Sequence, residues 1–360
     1  MMTDTKIRFG IIGYGKVANL HARALQEASN CRLVSVCGRN KEKRKIFAKQ
    51  WNIQDRENVA EMVKADRVQA VVITTPHPLH CKDALDAFAA GCHVLVEKPM
   101  ALDMEQGVRM LQASLRTGLK LGVISQRRWY PACRRIKQAI DDGKLGKPEI
   151  GQIIMLGWRD ETYYSSDPWR GKWATEGGGV LINQAPHQID LLHWYLGPVQ
   201  EISAYWKNVN HPYIEVEDTA VAALRFKQGG LASILVSNSQ KPGIFAKVHV
   251  HGASAASAGV QTDGGAMFVA GMSGIIEAPY NDLWTIPGET ELRAQWKAED
   301  EKFFAEIDAT WYFFKLQEED FAQSILEDRE PMVTGQDGLE TVRIIEGIYR
   351  SGRENRPVTY

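Results

Sequence analysis

The chain is 360 residues long, 44% hydrophobic and 24% charged, with 43 basic against 44 acidic side chains and a net charge of −1. Two domains are expected at that length, since single cores usually hold about 100–200 residues. The charge balance removes the electrostatic basis for binding nucleic acid or an anionic membrane surface, and leaves a small neutral or mildly charged ligand as the expected partner.

The N-terminal M-M-T-D-T-K is a short polar tail with no basic n-region, apolar h-region or cleavage site. No apolar run approaches the roughly 18–20 residues of a membrane-spanning helix. The 5 cysteines, Cys31, Cys37, Cys81, Cys92 and Cys133, form no C-x-x-C pair, and their odd number argues against a disulfide framework. A reducing, cytoplasmic location is expected.

From residue 6 to about 125, short apolar runs alternate with helical patterns. I-R-F-G-I-I-G precedes K-V-A-N-L-H-A-R-A-L-Q-E-A, R-L-V-S-V-C-G precedes K-E-K-R-K-I-F-A-K-Q-W, A-V-V-I-T-T-P precedes H-C-K-D-A-L-D-A-F-A-A-G, and H-V-L-V-E-K-P precedes D-M-E-Q-G-V-R-M-L-Q-A-S-L-R-T-G. Continuous Val/Ile/Leu runs separated by helices predict an α/β, doubly wound parallel sheet over residues 1–125. From 126 to 360 the pattern becomes α+β: a helix A-C-R-R-I-K-Q-A-I-D-D-G-K ended by Gly143, then alternating segments V-Q-E-I-S-A-Y-W-K-N, D-T-A-V-A-A-L-R-F, L-A-S-I-L-V-S-N-S and F-A-K-V-H-V-H-G. Turn residues such as K-Q-G-G and S-Q-K-P-G between them predict a mainly antiparallel, open sheet. Helices around 300–328 and 336–352 are expected to close the chain, and G-A-S-A-A-S-A-G reads as a small-residue patch.

The first strand runs into Gly13-Tyr14-Gly15-Lys16-Val17-Ala18. This is a variant of the Rossmann dinucleotide fingerprint: two glycines allow a tight turn and close approach of a pyrophosphate, and a small third residue lets the helix pack on the sheet. Tyr14, Lys16 and Val17 join Gly13 and Gly15 as expected cofactor contacts. An NAD site usually places an acid at the end of the second strand, but no carboxylate occurs between Cys31 and Lys41. Gly38 and Arg39 stand there, followed by Lys41, Lys43 and Arg44, either a solvated basic face or a clamp for a 2′-phosphate. NADP is therefore favoured over NAD.

Two further strand ends point into the same crevice, where open α/β sheets bind ligands. One carries Thr74, Thr75, Pro76 and His80, the other Glu97, Lys98 and Pro99. At the crossover, S-Q-R-R-W-Y-P supplies Gln126 as a further cofactor residue, then Arg127 as a substrate candidate and Arg128; pairing of both arginines with a carboxylate is an open option.

In this order and at these separations, the segments G-I-I-G-Y-G-K-V-A-N-L-H, T-T-P-H-P-L-H, A-A-G-C-H-V-L-V-E-K-P-M-A-L and E-G-G-G-V-L-I-N-Q-A-P-H-Q-I-D-L-L-H-W resemble the Gfo/Idh/MocA family of glucose–fructose oxidoreductase and inositol dehydrogenase. The resemblance covers residues 6–130 and 176–197 most closely, and E-K-P with the G-G-G to H-x-I-D segment are its most specific elements. It implies NAD(P)-dependent oxidation or reduction of a carbinol of a sugar, sugar derivative or cyclitol, and dimers or tetramers formed through the open sheet. It makes Lys98 the active-site lysine, with a cis peptide to Pro99, and His187 the acid/base. Four residues before His187 the family often has aspartate, and here stands Asn183. An amide cannot titrate, although it can orient a substrate hydroxyl.

At about 100° per residue, His187, Asp190 and Trp194 share one stripe of a helix, while Ile189, Leu192 and Leu196 gather opposite. The stripe reads as a presented polar face, on which Asp190 is open to a catalytic, an orienting or a capping role. Pro186 requires that the helix be kinked there or begin near residue 185. His193 falls away from His187, so no metal is expected. In R-D-E-T-Y-Y-S-S-D-P-W-R-G-K-W, Tyr163, Tyr164, Trp169 and Trp173 offer flat faces for sugar rings, with Arg170 and Lys172 as polar contacts; packing of this loop on its own domain or on a neighbouring subunit is the alternative. The expected chemistry is proton removal by His187 during hydride transfer, with Lys98 stabilising the alkoxide. An NAD-dependent glycoside hydrolase acting by transient oxidation, or a dinucleotide-sensing regulator, are the competing functions.

Overall fold

The computed structural model describes residues 6–241, 245–263 and 279–360. The tail before Lys6 and Pro242–Gly243 of the S-Q-K-P-G turn lie outside the described residues. The chain separates into two compact units, Met1–Gln126 with Thr310–Val342, and Arg127–Ala309 with Arg343–Tyr360.

In the first unit the order is β1 (Ile7–Ile12), α1 (Lys16–Glu27), β2 (Cys31–Cys37), α2 (Lys41–Trp51), β3 (Gln54–Arg56), α3 (Val59–Asp66), β4 (Ala70–Ile73), α4 (His80–Ala89), β5 (His93–Val96), α5 (Met104–Thr117) and β6 (Leu121–Val123). The six strands lie in the order β3-β2-β1-β4-β5-β6, and every pair is parallel. Order reverses between β1 and β4, and that switch point is where such sheets leave a crevice for ligands. All four residues of β4 are buried, as a strand covered on both faces requires. Asn40, Asn58 and Asp103 cap α2, α3 and α5 with side-chain oxygens.

The second unit runs through α6 (Pro131–Asp141), β7 (Pro148–Leu156), the short α7 (Glu161–Ser165), α8 (Trp173–Glu176) and α9 (Val180–Asn183), then α10 (Pro186–Leu196), β8 (Val199–Lys207), β9 (Thr219–Phe226), β10 (Leu231–Ser237), β11 (Phe245–Gly252), β12 (Ser257–Asp263), β13 (Tyr280–Trp284) and α11 (Leu292–Glu306). The chain ends in α12 (Tyr312–Leu326), α13 (Gly335–Glu354) and β14 (Val358–Thr359). The eight-stranded sheet is ordered β13-β12-β11-β7-β10-β9-β8-β14, antiparallel except for β7 with β10. The expected parallel sheet followed by a mainly antiparallel one is what the chain forms.

Two local expectations change. The helix expected over 300–328 is two helices, because the backbone turns extended at Ile307 (φ −119°, ψ 156°). Residues 310–342, expected in the second domain, group with the first unit, since α12 covers the parallel sheet: Phe321 meets Phe9 at 6.5 Å and Phe314 meets His21 at 4.7 Å between ring centroids. The small-residue patch leads into β12, where a Cβ at Gly259 would overlap the His249 ring, so the strand needs glycine there. Among the described residues, no helix is long and apolar enough to cross a membrane.

Candidate functional site

The dinucleotide fingerprint forms the turn from β1 into α1. Gly13 takes a positive φ of 107°, and a Cβ on it would lie 2.7 Å from Thr74 Oγ1. Gly15 is the N-cap of α1, where a Cβ would meet nothing within 4 Å. No side chain caps α1 and no acid stands in its first turn. A helix start with bare N–H groups at Lys16, Val17 and Ala18, approached through a residue without Cβ, fits a pyrophosphate. Ala18 is fully buried, so a larger side chain would lift the helix from the sheet.

At the end of β2, a Cβ on Gly38 would overlap the Tyr14 ring, and the Tyr14 hydroxyl accepts the Asn40 N–H at 2.7 Å. The basic cluster that follows divides. Arg44 is buried, paired with Asp55, and donates to the Gly38 carbonyl at 2.7 Å, so it serves the fold rather than a phosphate. Arg39, Lys41 and Lys43 remain exposed.

At the end of β4, Thr75 Oγ1 donates to Asp83 at 2.7 Å, and Pro76 is exposed. His80 departs from its expected role. Its ring is fully buried, with the Pro99 and Thr75 carbonyls each at 2.8 Å from a ring nitrogen, so it ties two strand ends together and has no surface for a cofactor. Burial depresses its pKa despite these carbonyls. Gln126 has a buried Oε1 with no hydrogen-bond partner among the described residues, an acceptor that suits a ligand donor.

Beyond β5, Lys98 is half-buried and joined to Pro99 by a cis peptide. Glu97 is turned inward. One carboxylate oxygen accepts the Lys98 N–H at 2.9 Å, and the other lies 3.0 Å from Nε2 of His21, whose Nδ1 lies 2.7 Å from Glu318. His21 and Glu318 were not among the expected site residues. The available signal was spacing: Ala18, His21, Ala22 and Leu25 form one buried stripe, and a polar group inside such a stripe needs a partner.

In the second unit, α10 begins at Pro186, which settles the choice between a kink and a late start. Asn183 closes the separate α9. The expected polar face of α10 is not presented to solvent: every residue of the helix except Trp194 is buried, His187 at 8% and Asp190 at 3% exposure. Asp190 is bound by Arg128 through bonds of 2.8 and 2.7 Å, with His193 Nε2 at 3.4 Å. The Arg128 guanidinium also lies 5.0 Å from the Trp194 ring centroid. Asp190 thus neutralises an interior arginine, and this corrects its candidacy as an acid or base.

The glycines before α9 serve close approach. A Cβ on Gly178 would overlap the Tyr349 hydroxyl, and one on Gly179 the Glu217 carbonyl. The Glu217 carboxylate accepts from Gly179 N at 2.9 Å, Leu181 N at 3.0 Å and the Tyr349 hydroxyl at 2.9 Å. Burial raises its pKa to about 7, against those three donors. Asn183 Nδ2 donates to Glu176, which is buried and also accepts the Gly171 N–H at 2.5 Å. Glu176 and Glu217 carry no periodic signal and were missed.

The aromatic loop is packed on itself. Arg159 and Arg170 lie over the Tyr163 ring at 5.0 and 4.3 Å, and Arg170 and Gln184 donate to its hydroxyl at 2.5 and 2.8 Å. Arg170 also covers Trp169 at 4.5 Å, Tyr164 is buried beside His211, and Trp173 packs with Trp206 and Tyr349 at 5.3 Å. These rings meet protein where sugar faces were expected. Arg127 is buried and donates to Thr262 at 3.2 Å.

The five cysteines are buried, and none is joined in a disulfide. Among the described residues, no group of three or more His, Cys, Asp or Glu side chains could hold a metal ion.

Two family profiles match the chain: the oxidoreductase family with an NAD-binding Rossmann fold over residues 7–125, and the GFO/IDH/MocA C-terminal domain over residues 133–258. Oxidoreductase P35 of Formosa agariphila is 32% identical over 55% of this chain and 63% of its own length. Inositol 2-dehydrogenase of Rhizobium meliloti is 25% identical over 98% of this chain and 99% of its own. The crystal structure of the WlbA dehydrogenase from Bordetella pertussis, in complex with NADH and UDP-GlcNAcA, superimposes with a TM-score of 0.87 at 28% identity, covering 100% of this chain and 99% of that one.

Proposed function

The chain belongs to the Gfo/Idh/MocA family of NAD-binding oxidoreductases, and from that premise we propose that Lys98 and His187 carry hydride-transfer chemistry on a secondary hydroxyl or ketone of a sugar, sugar derivative or cyclitol. The observation that carries this reading is the E-K-P strand end, with Lys98 held at its backbone by Glu97 beside a cis proline, in a chain whose second unit bears His187 in the first turn of α10. Bound dinucleotide supplies the hydride acceptor or donor. In the oxidation direction His187 removes the hydroxyl proton and the Lys98 ammonium stabilises the developing alkoxide. Asn183, fastened to Glu176 through its NH2 group, orients a substrate hydroxyl without titrating. Arg127 is a candidate polar contact to the substrate.

NADP is the preferred cofactor in this reading, with Arg39 and the exposed Lys41 and Lys43 facing a 2′-phosphate. Sugar nucleotides belong in the substrate class tested, given the UDP-GlcNAcA bound to WlbA dehydrogenase. Self-association through the open sheet is supported by outward-facing Tyr205, Val221 and Leu235, which are 75%, 49% and 36% exposed and adjacent across β8, β9 and β10.

The test is a panel of sugars, sugar acids, inositols and sugar nucleotides with NAD and NADP, read by nicotinamide absorbance. Lys98→Ala and His187→Ala are expected to cut turnover by at least about 100-fold with dinucleotide affinity largely kept. Normal turnover in both variants overturns the assignment.

A further inference from the structure

Within the first unit, an ionisable cluster stands directly behind the strand end that carries Lys98. His21 on α1 and Glu318 on α12 are completely buried, and Glu97 is 7% exposed. The three form a chain: Glu318 Oε1 to His21 Nδ1 at 2.7 Å, His21 Nε2 to Glu97 Oε1 at 3.0 Å, and Glu97 Oε2 to the Lys98 N–H at 2.9 Å. The His21 and Phe314 rings pack in an edge-to-face arrangement with centroids 4.7 Å apart, which restrains the imidazole plane.

Desolvating two carboxylates and an imidazole is costly, and apolar side chains of similar volume would hold α1 and α12 on the sheet at least as well. Apolar packing cannot, however, fix the direction of a carboxylate. That is what this chain of bonds adds, and the group it directs reaches the backbone of Lys98. The charge states agree. Burial alone would depress His21, but hydrogen bonds to Glu318 and Glu97 outweigh it and push its pKa up to about 9, so both ring nitrogens carry protons at neutral pH. Burial disfavours the Glu97 anion, yet the His21 hydrogen bond and charge hold its pKa below the usual carboxylate value.

We propose that His21 and Glu318 are positioning residues for the reaction: they orient the Glu97 carboxylate and, through it, the backbone from which Lys98 projects. The inference rests on the reading of Lys98 as the alkoxide-stabilising group. The Glu318–His21 bond removes the freedom of the ring, the His21–Glu97 bond removes the freedom of the carboxylate, and the Glu97–Lys98 bond fixes the peptide plane. Loss of any link lets Lys98 drift, and a displacement of about 1 Å at such a group costs on the order of 100-fold in rate.

The experiment measures kcat, substrate KM and dinucleotide Kd for His21→Leu, Glu318→Leu and Glu318→Gln, with unfolding midpoints to confirm folding and Lys98→Ala alongside. A fall in kcat of about tenfold or more is expected in His21→Leu and Glu318→Leu, with dinucleotide Kd changed less than about twofold. Glu318→Gln, which still offers an oxygen to the Nδ1 proton, is expected to recover part of the loss. The proposal is overturned if folded His21→Leu and Glu318→Leu turn over at the normal rate. It is equally overturned if kcat and dinucleotide affinity fall by the same factor, or if Glu318→Gln is no better than Glu318→Leu. Normal turnover in Lys98→Ala sinks the reading of Lys98 itself. An inactive Lys98→Ala with normal His21 and Glu318 variants sinks only the positioning role.

Discussion

Arg128 and Asp190 form a two-bonded ion pair in the interior of the second unit, at 2.8 and 2.7 Å, with side chains 1% and 5% exposed. Removing one partner leaves an unpaired buried charge, which costs about 3–5 kcal/mol. Asp190→Ala and Arg128→Met are therefore each expected to lower unfolding stability by that order, measured by chemical denaturation. Burial works against ionisation of Asp190, but Arg128 and His193 hold its pKa far below the usual range. With the folded pKa depressed, the stabilisation is present above the unfolded value near about 4 and is lost as pH falls below it. Asp190→Asn should flatten that acid limb. An unchanged acid limb counts against the pair as its source.

Asn183 and Glu176 give a second test, because the Asn183 amide donates to a buried carboxylate. Asn183→Asp would set a second carboxylate against the buried Glu176, which favours uptake of a proton by one of the two. Turnover of the variant is expected to drop several-fold at pH 8 and to recover towards pH 6, while Asn183→Ala shows no such recovery. Parallel pH–rate profiles for the two variants would show that the Glu176 contact does not govern the site.

His21 and Glu318 also predict the alkaline limb of stability. His21 is pushed up to about 9 by its carboxylate partners in spite of burial, and burial raises Glu318 to about 7. Both groups keep protons in the folded chain that the unfolded chain releases sooner. Their stabilisation is therefore full below the unfolded values and is lost as pH rises through about 7 and then about 9. The unfolding midpoint should fall between about pH 6.5 and 9, the window set by the unfolded and folded values of His21, and the fall should be shallower in His21→Leu. Equal slopes for the two proteins remove the triad as the cause.

How much of this was legible in the sequence depends on the range over which each feature is encoded. The glycine turn and the strand–helix alternation are local, and they read correctly from Gly13, Gly15 and the apolar runs, while Pro186 narrowed the entry to α10 to a kink or a start near residue 185. The polar stripe His187–Asp190–Trp194 was also real as periodicity, yet its surroundings were misread. Spacing shows which residues share a side of a helix, but not that Arg128, 62 positions earlier, fills that side. The His21–Glu318 contact spans 297 positions, so no window reveals it. The sign available locally was a histidine inside an apolar stripe on α1, and a glutamate in the matching stripe Phe314, Gln317, Glu318 and Phe321 of α12. In the aromatic loop, composition showed that Tyr163, Trp169 and Arg170 belong together, but sugar platforms and cation-stacked packing share that composition.

The outward row across the open sheet offers a test of self-association. Tyr205 faces Val221, and Val221 faces Leu235, in register across β8, β9 and β10. Three exposed apolar neighbours on one face of the sheet favour burial against a second copy. Val221→Lys or Leu235→Lys should shift the species seen by light scattering after gel filtration towards the monomer at micromolar concentration. The same lysine at Ile46, which is 67% exposed on α2, should leave the mass unchanged. A mass unaffected by the sheet substitutions would assign any association to another surface.

Gly38 and Tyr14 supply a prediction specific to the adenosine side of the cofactor. A Cβ on Gly38 would overlap the Tyr14 ring, whose hydroxyl accepts the Asn40 N–H at 2.7 Å. Gly38→Ala must displace the ring, break that bond and disturb the turn that carries Arg39. Dinucleotide KM is expected to rise about tenfold while kcat at saturation changes little, the pattern of lost uniform binding. Arg39→Ala should raise KM for NADP far more than for NAD, because only NADP brings the 2′-phosphate that a cation at the end of β2 neutralises. Equal changes for the two cofactors in Arg39→Ala would place the 2′-phosphate elsewhere, with Lys41 and Lys43 the next cations along the turn.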